Sequence, residues 1–273
     1  MPVKEHYQFP EQHGMDPFRI CGGLYSIGDD DVCAYLLDTG EGLVLIDTGY
    51  PTAQALLVNA IWTLGFDPRQ IRVILHSHGH FDHFGATRLL AALSGAQTCL
   101  GWRDAKMFRE RPELALREDC TPFATPELFT PDRELRDGDT VRLGNIEILC
   151  VETPGHTEGT MSYFFNVFED GKTYRVGLFG GVGRNTMRKT FYAAYHVGGY
   201  REMFAGSISR MREERVDIAL GTHTNQASFL KNREALLIGS GGNPFIAPEQ
   251  WTTFLDRVER NLKQLQEDPA EQV

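Results

Sequence analysis

The sequence predicts an α+β fold in which two β-sheets pack on one another and helices cover their outer faces. Short apolar runs separated by Asp- and Gly-rich turns are typical of strands joined as hairpins, and they occur in both halves of the chain. Segments with helical apolar spacing follow them in each half. With 273 residues, 41% of them hydrophobic, the chain is long enough to bury one sizeable core.

The first half opens with strands and then alternates helix and strand. The runs GLYSIG, VCAYLLDT and GLVLIDTG, within residues 23–49, predict three strands. The apolar spacing over 52–66 predicts a helix, and IRVIL at 71–75 predicts a short buried strand. A second helix is expected over 86–95, directly after a histidine-rich stretch.

The second half repeats this scheme more loosely. A Gly-Asn turn predicts a hairpin within 140–156, and Asp170-Gly171 predicts a turn between two strands within 160–181. The remaining expected elements are a helix over 200–216, a strand over 217–223, a helix from Asn225 and a final amphipathic helix over 248–266.

We expect a single domain over residues 20–273, preceded by an N-terminal extension, residues 1–19. The stretch 102–139 is rich in Arg, Glu and Pro and is expected to be an insertion that lies beside the functional site as a loop or short helix.

Charge and composition narrow the class of partner. The formal net charge is −10 and no block of Lys or Arg is present, which argues against binding to nucleic acid or to an anionic membrane. A small-molecule substrate is expected instead. The N-terminus lacks a secretory pattern, no segment has the length of a membrane span, and the five cysteines are scattered, so a cytoplasmic location is expected. The sequence leaves the oligomeric state open.

The stretch HSHGHFDHFGA, residues 76–86, concentrates histidine and aspartate. Neutral imidazole and carboxylate are the usual ligands of zinc besides thiolate. His78 and His80 are two residues apart, so on an extended segment they point the same way and can share one ion. Asp82 and His83 follow a turn later and suit a second ion.

Two further histidines complete these sites. His156 lies in TPGHT, where Pro154 and Gly155 end a strand, and His223 lies in LGTH at the end of another predicted strand. The first ion is therefore expected on His78, His80 and His156, and the second on Asp82, His83 and His223. Three protein ligands per zinc leave positions open for water, as in catalytic sites. His76 is expected to support the ligands or the fold, because the six residues named above already supply three ligands to each ion.

The motifs HSHGHFDH, TPGHT, LIDTG and GTH, in this order, resemble those of the metallo-β-lactamase superfamily over residues 20–266. The resemblance implies an αββα sandwich with two Zn²⁺ per chain at the sheet edge, held by the six residues named above. It also implies that Asp47, in LIDTG, orients the metal loop through hydrogen bonds.

One difference from the superfamily's motifs limits which of its members the chain resembles. Glyoxalase II, lactonases and tRNA-processing nucleases of the superfamily carry a further aspartate that bridges the metals, whereas this chain has Val182 there, in LFGGVGRN. The metallo-β-lactamases proper also lack it, and their third subclass binds the second zinc through one Asp and two His. The C-terminal segment is similar to that subclass as well. The serines of that subclass near this position are absent, with Val182 and Arg184 instead.

The expected chemistry is attack of a zinc-activated water, with its pKa lowered to roughly 7, on the carbonyl of a cyclic amide or ester. Asp82 would take part as the catalytic ligand of the second zinc, which would stabilise the leaving group. Arg184 is either an anchor for a substrate carboxylate or a solvated surface residue. Tyr192 and Tyr195 either line the substrate pocket or belong to the core and its rim.

Other functions are kept as alternatives. A lactonase or thioesterase of the same superfamily would use the same ligands. An iron redox enzyme on this scaffold would carry a glutamate where His80 stands. A phosphodiesterase or nuclease is opposed by Val182 and by the acidic charge, and a non-catalytic binding protein is opposed by the six filled ligand positions.

Overall fold

Two β-sheets pack face to face, and helices cover the outer face of each. The computed structural model describes residues 3–120, 124–239 and 241–272. The sheets share one apolar core. A further core packs the first sheet against its helices, and another packs the second sheet against its helices. The α+β class and the four-layer αββα arrangement predicted from the sequence are therefore confirmed.

The first sheet comes from the first half of the chain, and within the described residues its seven strands lie in chain order. Its first four strands are antiparallel, and the last four run parallel to one another. The strands are β1 Phe18–Cys21, β2 Leu24–Ser26, β3 Tyr35–Asp38, β4 Leu43–Ile46, β5 Ile71–Leu75, β6 Gln97–Gly101 and β7 Arg133–Leu135.

The second sheet has the order β12-β11-β10-β9-β8 and is antiparallel except for the β11–β12 pair. Both predicted hairpins are present, and positive φ angles at Gly144, Asp170 and Gly171 form their turns, as tight hairpins require. The strands are β8 Thr140–Leu143, β9 Ile146–Glu152, β10 Met161–Glu169, β11 Lys172–Leu178 and β12 Ile218–Leu220.

The helices lie outside the sheets. They are α1 Val3–Gln8, α2 Gln54–Thr63, α3 Phe81–Phe84, α4 Thr87–Ser94, α5 Trp102–Glu110, α6 Lys189–Tyr195, α7 Tyr200–Met211, α8 Phe229–Ile238 and α9 Pro248–Glu267. Among the described residues, none of these helices combines the length and the apolar character needed to cross a bilayer.

Side-chain alternation explains why β4 is apolar throughout. Val44 and Ile46 face the core between the sheets, whereas Leu43 and Leu45 face the core under α2 and α4. A strand with both faces covered reads as a continuous apolar run, in contrast to the alternating pattern of a half-exposed strand. The GLVLID segment therefore belongs at the centre of the first sheet.

The largest differences from the predicted boundaries are at two helices, and the first of these, expected over 200–216, ends at Met211. The helix expected from Asn225 begins at Phe229. The Thr222 backbone N–H donates to Oε1 of Gln226 at 3.0 Å, and Ala227 and Ser228 have positive φ angles of 46° and 59°. A side chain that bonds to a nearby backbone group competes with helix formation, so this stretch forms a turn.

Residues 102–139 extend the first sheet at its edge. The segment begins with α5, continues through short 3₁₀ turns over Pro112–Ala115 and Arg117–Cys120, and ends in β7, which pairs with β6. Residues 121–123, within it, lie outside the described residues. Whether the segment is an insertion stays a prediction, as does the division into an extension and one domain.

Candidate metal centre

The first ligand group, His78, His80 and His156, lies where the two sheets meet. His78 and His80 follow β5, and His156 follows β9. All three imidazoles are buried, and one nitrogen of each lies within 4.8 Å of the others. His80 Nδ1 is 3.0 Å from His156 Nε2, and the three rings stand edge-on at 79–88°. One nitrogen of each ring is therefore close enough to the others for the three to share an ion.

Hydrogen bonds at the outer nitrogens fix the tautomers of His78 and His156. His78 Nδ1 donates to the Gly180 carbonyl at 2.9 Å, and His156 Nδ1 donates to the Gly183 carbonyl at 2.9 Å. A carbonyl only accepts, so the proton of each ring is outside and Nε2 keeps a free lone pair. His78 Nε2 is buried and has no hydrogen-bond partner among the described residues. A buried lone pair without a donor fits a bound cation.

The second ligand group is Asp82, His83 and His223. Asp82 Oδ2 is 3.5 Å from His83 Nε2 and 3.7 Å from His223 Nε2. Ligands bound tetrahedrally to zinc at about 2.0–2.1 Å lie about 3.3 Å apart, so the two spacings from Asp82 to these imidazoles suit one ion. Asp82 and His83 also group with His78, with one ligand atom of each within 4.8 Å of the others, whereas His223 is not part of that group. His83 Nε2 is a second buried nitrogen without a hydrogen-bond partner in the described part of the chain. The stretch 180–184 supplies backbone carbonyls to the first group, and Val182 supplies no bridging carboxylate.

The two groups differ in their proton affinity. Burial, together with the neighbouring imidazoles, lowers the pKa of His78 and His80 well below the usual value, and burial lowers that of His156 to about 3. Burial also acts to lower the pKa of His83, but the carboxylates of Asp82 and Asp47 outweigh it and raise the pKa to about 9. A cation at the second group must therefore displace a proton from His83.

Asp47 fixes the loop between β5 and α3. Its carboxylate accepts from the Ser77 backbone N–H at 2.7 Å, from the Ser77 hydroxyl at 2.6 Å and from His83 Nδ1 at 2.9 Å. Asp47 has a φ of 61°, a left-handed conformation that is uncommon outside glycine and collects at functional sites. Asp47 thus supports a ligand of the second group and the start of the metal loop.

His76 has both ring nitrogens engaged by the protein. Nδ1 donates to the Cys99 carbonyl at 2.8 Å, and Nε2 lies 2.7 Å from the Thr87 hydroxyl. Because neither nitrogen is free, His76 anchors β5 to β6 and α4 and does not join a ligand group.

Asp31 is a candidate site residue that the sequence reasoning missed. It lies in the turn before β3, and its Oδ1 is 3.3 Å from His223 Nδ1 while Oδ2 accepts from the Tyr50 hydroxyl at 2.6 Å. Burial acts to raise the pKa of Asp31, but the hydrogen bonds from His223 and Tyr50 outweigh it and lower the pKa. The only signal in the sequence is an Asp-rich turn, GDDDV, which by itself indicates a loop.

Replacing Asp31 with asparagine is expected to weaken binding of the second ion about 10–100-fold, because the carboxylate that orients His223 is lost. The measurement is zinc titration against a competing chelator. Asp30→Asn is the matched control, since Asp30 is the adjacent carboxylate in the same turn and contacts His6 and His13 instead. Equal losses in the two variants would contradict the role of Asp31.

A second cluster, His6, His13 and Asp30, has a different geometry. Both imidazoles contact the Asp30 carboxylate, at 2.8 and 3.1 Å, and their rings stack at 3.8 Å with an interplanar angle of 22°. Its ligand atoms also lie within 4.8 Å of one another, but its rings are nearly parallel and less buried than those of the first ligand group. This cluster ties the N-terminal segment to the turn that contains Asp31.

The expected substrate-binding residues lie in different places. Arg184 and Val182 line a cavity of about 540 Å³ together with His223 and Asp31, and Arg184 donates to the Asn261 carbonyl at 3.0 Å. Tyr192 and Tyr195 do not line this cavity. The Tyr192 hydroxyl accepts from the Arg201 backbone N–H at 3.1 Å, and the Tyr195 ring packs at a tilt of 37° against Phe191.

Residues 27–167, more than half of the chain, match the family model of the metallo-β-lactamase superfamily. The chain belongs to this superfamily. Among curated relatives, hydroxyacylglutathione hydrolase GloC of Haemophilus influenzae is 28% identical over 167 residues, which cover 59% of this chain and 73% of the relative. An N-acyl homoserine lactonase of Bacillus thuringiensis is 23% identical over 206 residues, 67% of this chain and 75% of the relative.

Solved structures of this superfamily share the whole fold. FEZ-1, a metallo-β-lactamase from Legionella gormanii, superposes with a TM-score of 0.84 at 27% identity and covers 96% of this chain and 98% of its own. The class B3 di-zinc metallo-β-lactamase LRA-12, from an Alaskan soil metagenome, gives 0.77 at 25% identity over 93% and 95%. Family membership, these hydrolase relatives and the buried His/Asp cluster identify the chain as a metal-dependent hydrolase.

Proposed function

We propose that the chain is a dinuclear zinc hydrolase that opens a cyclic amide or ester, with the β-lactam ring as the preferred substrate class. The observation that carries the proposal is the pair of ligand groups at one sheet edge, each with a buried imidazole nitrogen that has no hydrogen-bond partner in the described part of the chain. The second group contains one Asp and two His, and Val182 stands where a bridging aspartate would be. The likeness to FEZ-1 over nearly its full length supports the same substrate class.

Zinc bound at these groups would act as a Lewis acid on the scissile carbonyl and would lower the pKa of a water to roughly 7. The chain's own residues then do three things. The outer hydrogen bonds of His78, His156, His83 and His223 hold the imidazoles in one tautomer and orientation. Asp82 directs Oδ2 toward His83 and His223, and we assign its other oxygen to receive the proton of the attacking water.

Arg184 is the proposed anchor of the substrate. It lines the cavity beside His223, and its guanidinium suits a carboxylate on the ring that is opened. The net charge of −10 supports a small-molecule substrate in preference to a nucleic acid. A lactone is the second candidate substrate, because the lactonase match extends over 67% of this chain.

Metal content and turnover on one sample test this proposal. We expect about two zincs per chain after purification without added metal, and hydrolysis of a chromogenic cephalosporin faster than that of a homoserine lactone or a glutathione thioester. Esterifying the cephalosporin carboxylate should raise KM, since the contact with Arg184 is lost. Two zincs with lactone turnover alone would move the assignment to the lactonases, and iron in place of zinc would overturn it.

A further inference from the structure

Asp104 connects the two loops that carry the first ligand group. It lies in the first turn of α5 and is completely buried. Its Oδ2 accepts from the Gly79 backbone N–H at 2.7 Å and from the Thr157 hydroxyl at 2.8 Å, while Oδ1 accepts from the Gly159 backbone N–H at 2.9 Å. Gly79 lies between His78 and His80, and Thr157 follows His156, so one carboxylate holds both loops.

This approach requires glycine at position 159 and leaves little room for a side chain at position 79. A Cβ on Gly159 would lie 2.6 Å from the Asp104 carboxylate and 2.2 Å from its backbone nitrogen. A Cβ on Gly79 would lie 3.2 Å from Asp104 Cβ and 2.8 Å from the Met107 side chain. The carboxylate is therefore packed directly against the backbone that positions the ligands.

The charge of Asp104 has no cationic partner among the described residues: its three hydrogen-bond donors are two backbone N–H groups and one hydroxyl, all neutral. A buried carboxylate without a compensating positive charge is costly. The second ligand group has Asp82 as a ligand, with Asp47 behind His83 and Asp31 behind His223. In the first group, the outer nitrogens of His78 and His156 contact backbone carbonyls, and none of the hydrogen bonds described for its three imidazoles is to a carboxylate, so Asp104, which holds both of their loops, can supply the balancing charge.

We propose that Asp104 is the positioning residue and the anionic counter-charge of the first ion: it fixes both ligand loops, and its buried charge stabilises the cation that they bind. This inference rests on the metal centre of the proposed function. It assigns no contact with substrate to Asp104.

Asp104→Asn tests the proposal because it removes the charge at nearly constant volume. Zinc affinity is measured by competition with a chromophoric chelator, and melting temperatures are recorded with and without zinc. We expect the first ion to bind about 10–100-fold more weakly, with the second ion nearly unaffected. The rise in melting temperature on adding zinc should shrink. A merely structural role would instead weaken both ions alike and lower the melting temperature of the metal-free protein.

Two comparisons keep the test specific. Asp132→Asn is the matched control. Asp132 also accepts hydrogen bonds from a backbone N–H and a hydroxyl, both of Thr98, and it lies outside both ligand groups. In a His156→Ala background, which lacks the first ion, Asp104→Asn should change the remaining affinity little. If Asp104→Asn does not fold, Asp104→Ser serves the same test with a smaller uncharged acceptor.

Unchanged affinity for the first ion, or equal losses at both, would overturn the inference. A wild type that binds no zinc would overturn the metal centre and the inference together. A wild type that binds two zincs without hydrolysing any of the substrates would overturn the proposed function alone, since the affinity comparison stands without activity.

Discussion

Replacing His156 with alanine is expected to release one ion per chain and to slow turnover at least about 10³-fold, the equivalent of several kcal/mol of transition-state stabilisation from one metal. The reason is geometric. His156 is the only member of the first group that comes from the second sheet, and its Nε2 is 3.0 Å from His80 Nδ1. Without it, two imidazoles from one short loop remain, which is fewer than the three protein ligands of a catalytic zinc site.

Metal analysis by mass spectrometry and steady-state kinetics check this expectation. His196→Ala is the matched control, because His196 is exposed and belongs to neither ligand group. An unchanged zinc content in the His156 variant would refute the assignment of the first group.

Asp82→Ala is expected to keep the first ion, lose the second and reduce turnover by at least about 10³-fold. Asp82 Oδ2 is the atom that lies between His83 and His223, so its removal leaves two imidazoles without the charged ligand. The side chain is only partly buried, and the fold should be retained, as near-wild-type circular dichroism would show.

Asp119→Ala is the comparison for Asp82. Asp119 is an acidic residue close enough to Asp82 for the two carboxylates to interact electrostatically, but it is not part of either ligand group. Retention of two zincs by the Asp82 variant would contradict the assignment of the second group, whatever its rate.

Local patterns in the sequence were sufficient to propose the candidate ligands of the metal loop. His78, His80, Asp82 and His83 lie within one six-residue stretch, so their types and spacing indicate metal binding without any knowledge of the fold. His156 required one more step, the expectation that strand ends gather at one edge of the sandwich. The hairpins and the buried central strands were equally predictable, because their period and turn residues are local properties.

Residues that support the ligands were not predictable in this way. Asp31 acts on His223 from 192 positions away, and Asp104 lies in a segment read as an insertion. Neither has a neighbour in sequence that signals its role. The role of each depends on the residues that the fold brings into contact with it, and these are distant in sequence. The start of α8 was missed for a related reason, since Gln226 bonds to Thr222 and delays the helix to Phe229.

Because the ligands are far apart along the chain, the two ligand groups are completed at different times during synthesis. A ribosome delivers the metal loop early, yet His156 follows His80 by 76 residues, and His223 follows Asp31 by 192. Val32 pairs with His223 in an isolated β-bridge, so the last ligand docks onto one of the first turns to be synthesised. A nascent or truncated chain that ends before β12 therefore holds one complete ligand set at most. In the proposed two-ion centre, uptake of the second ion would report that synthesis has passed residue 223 and that the two halves have closed on each other.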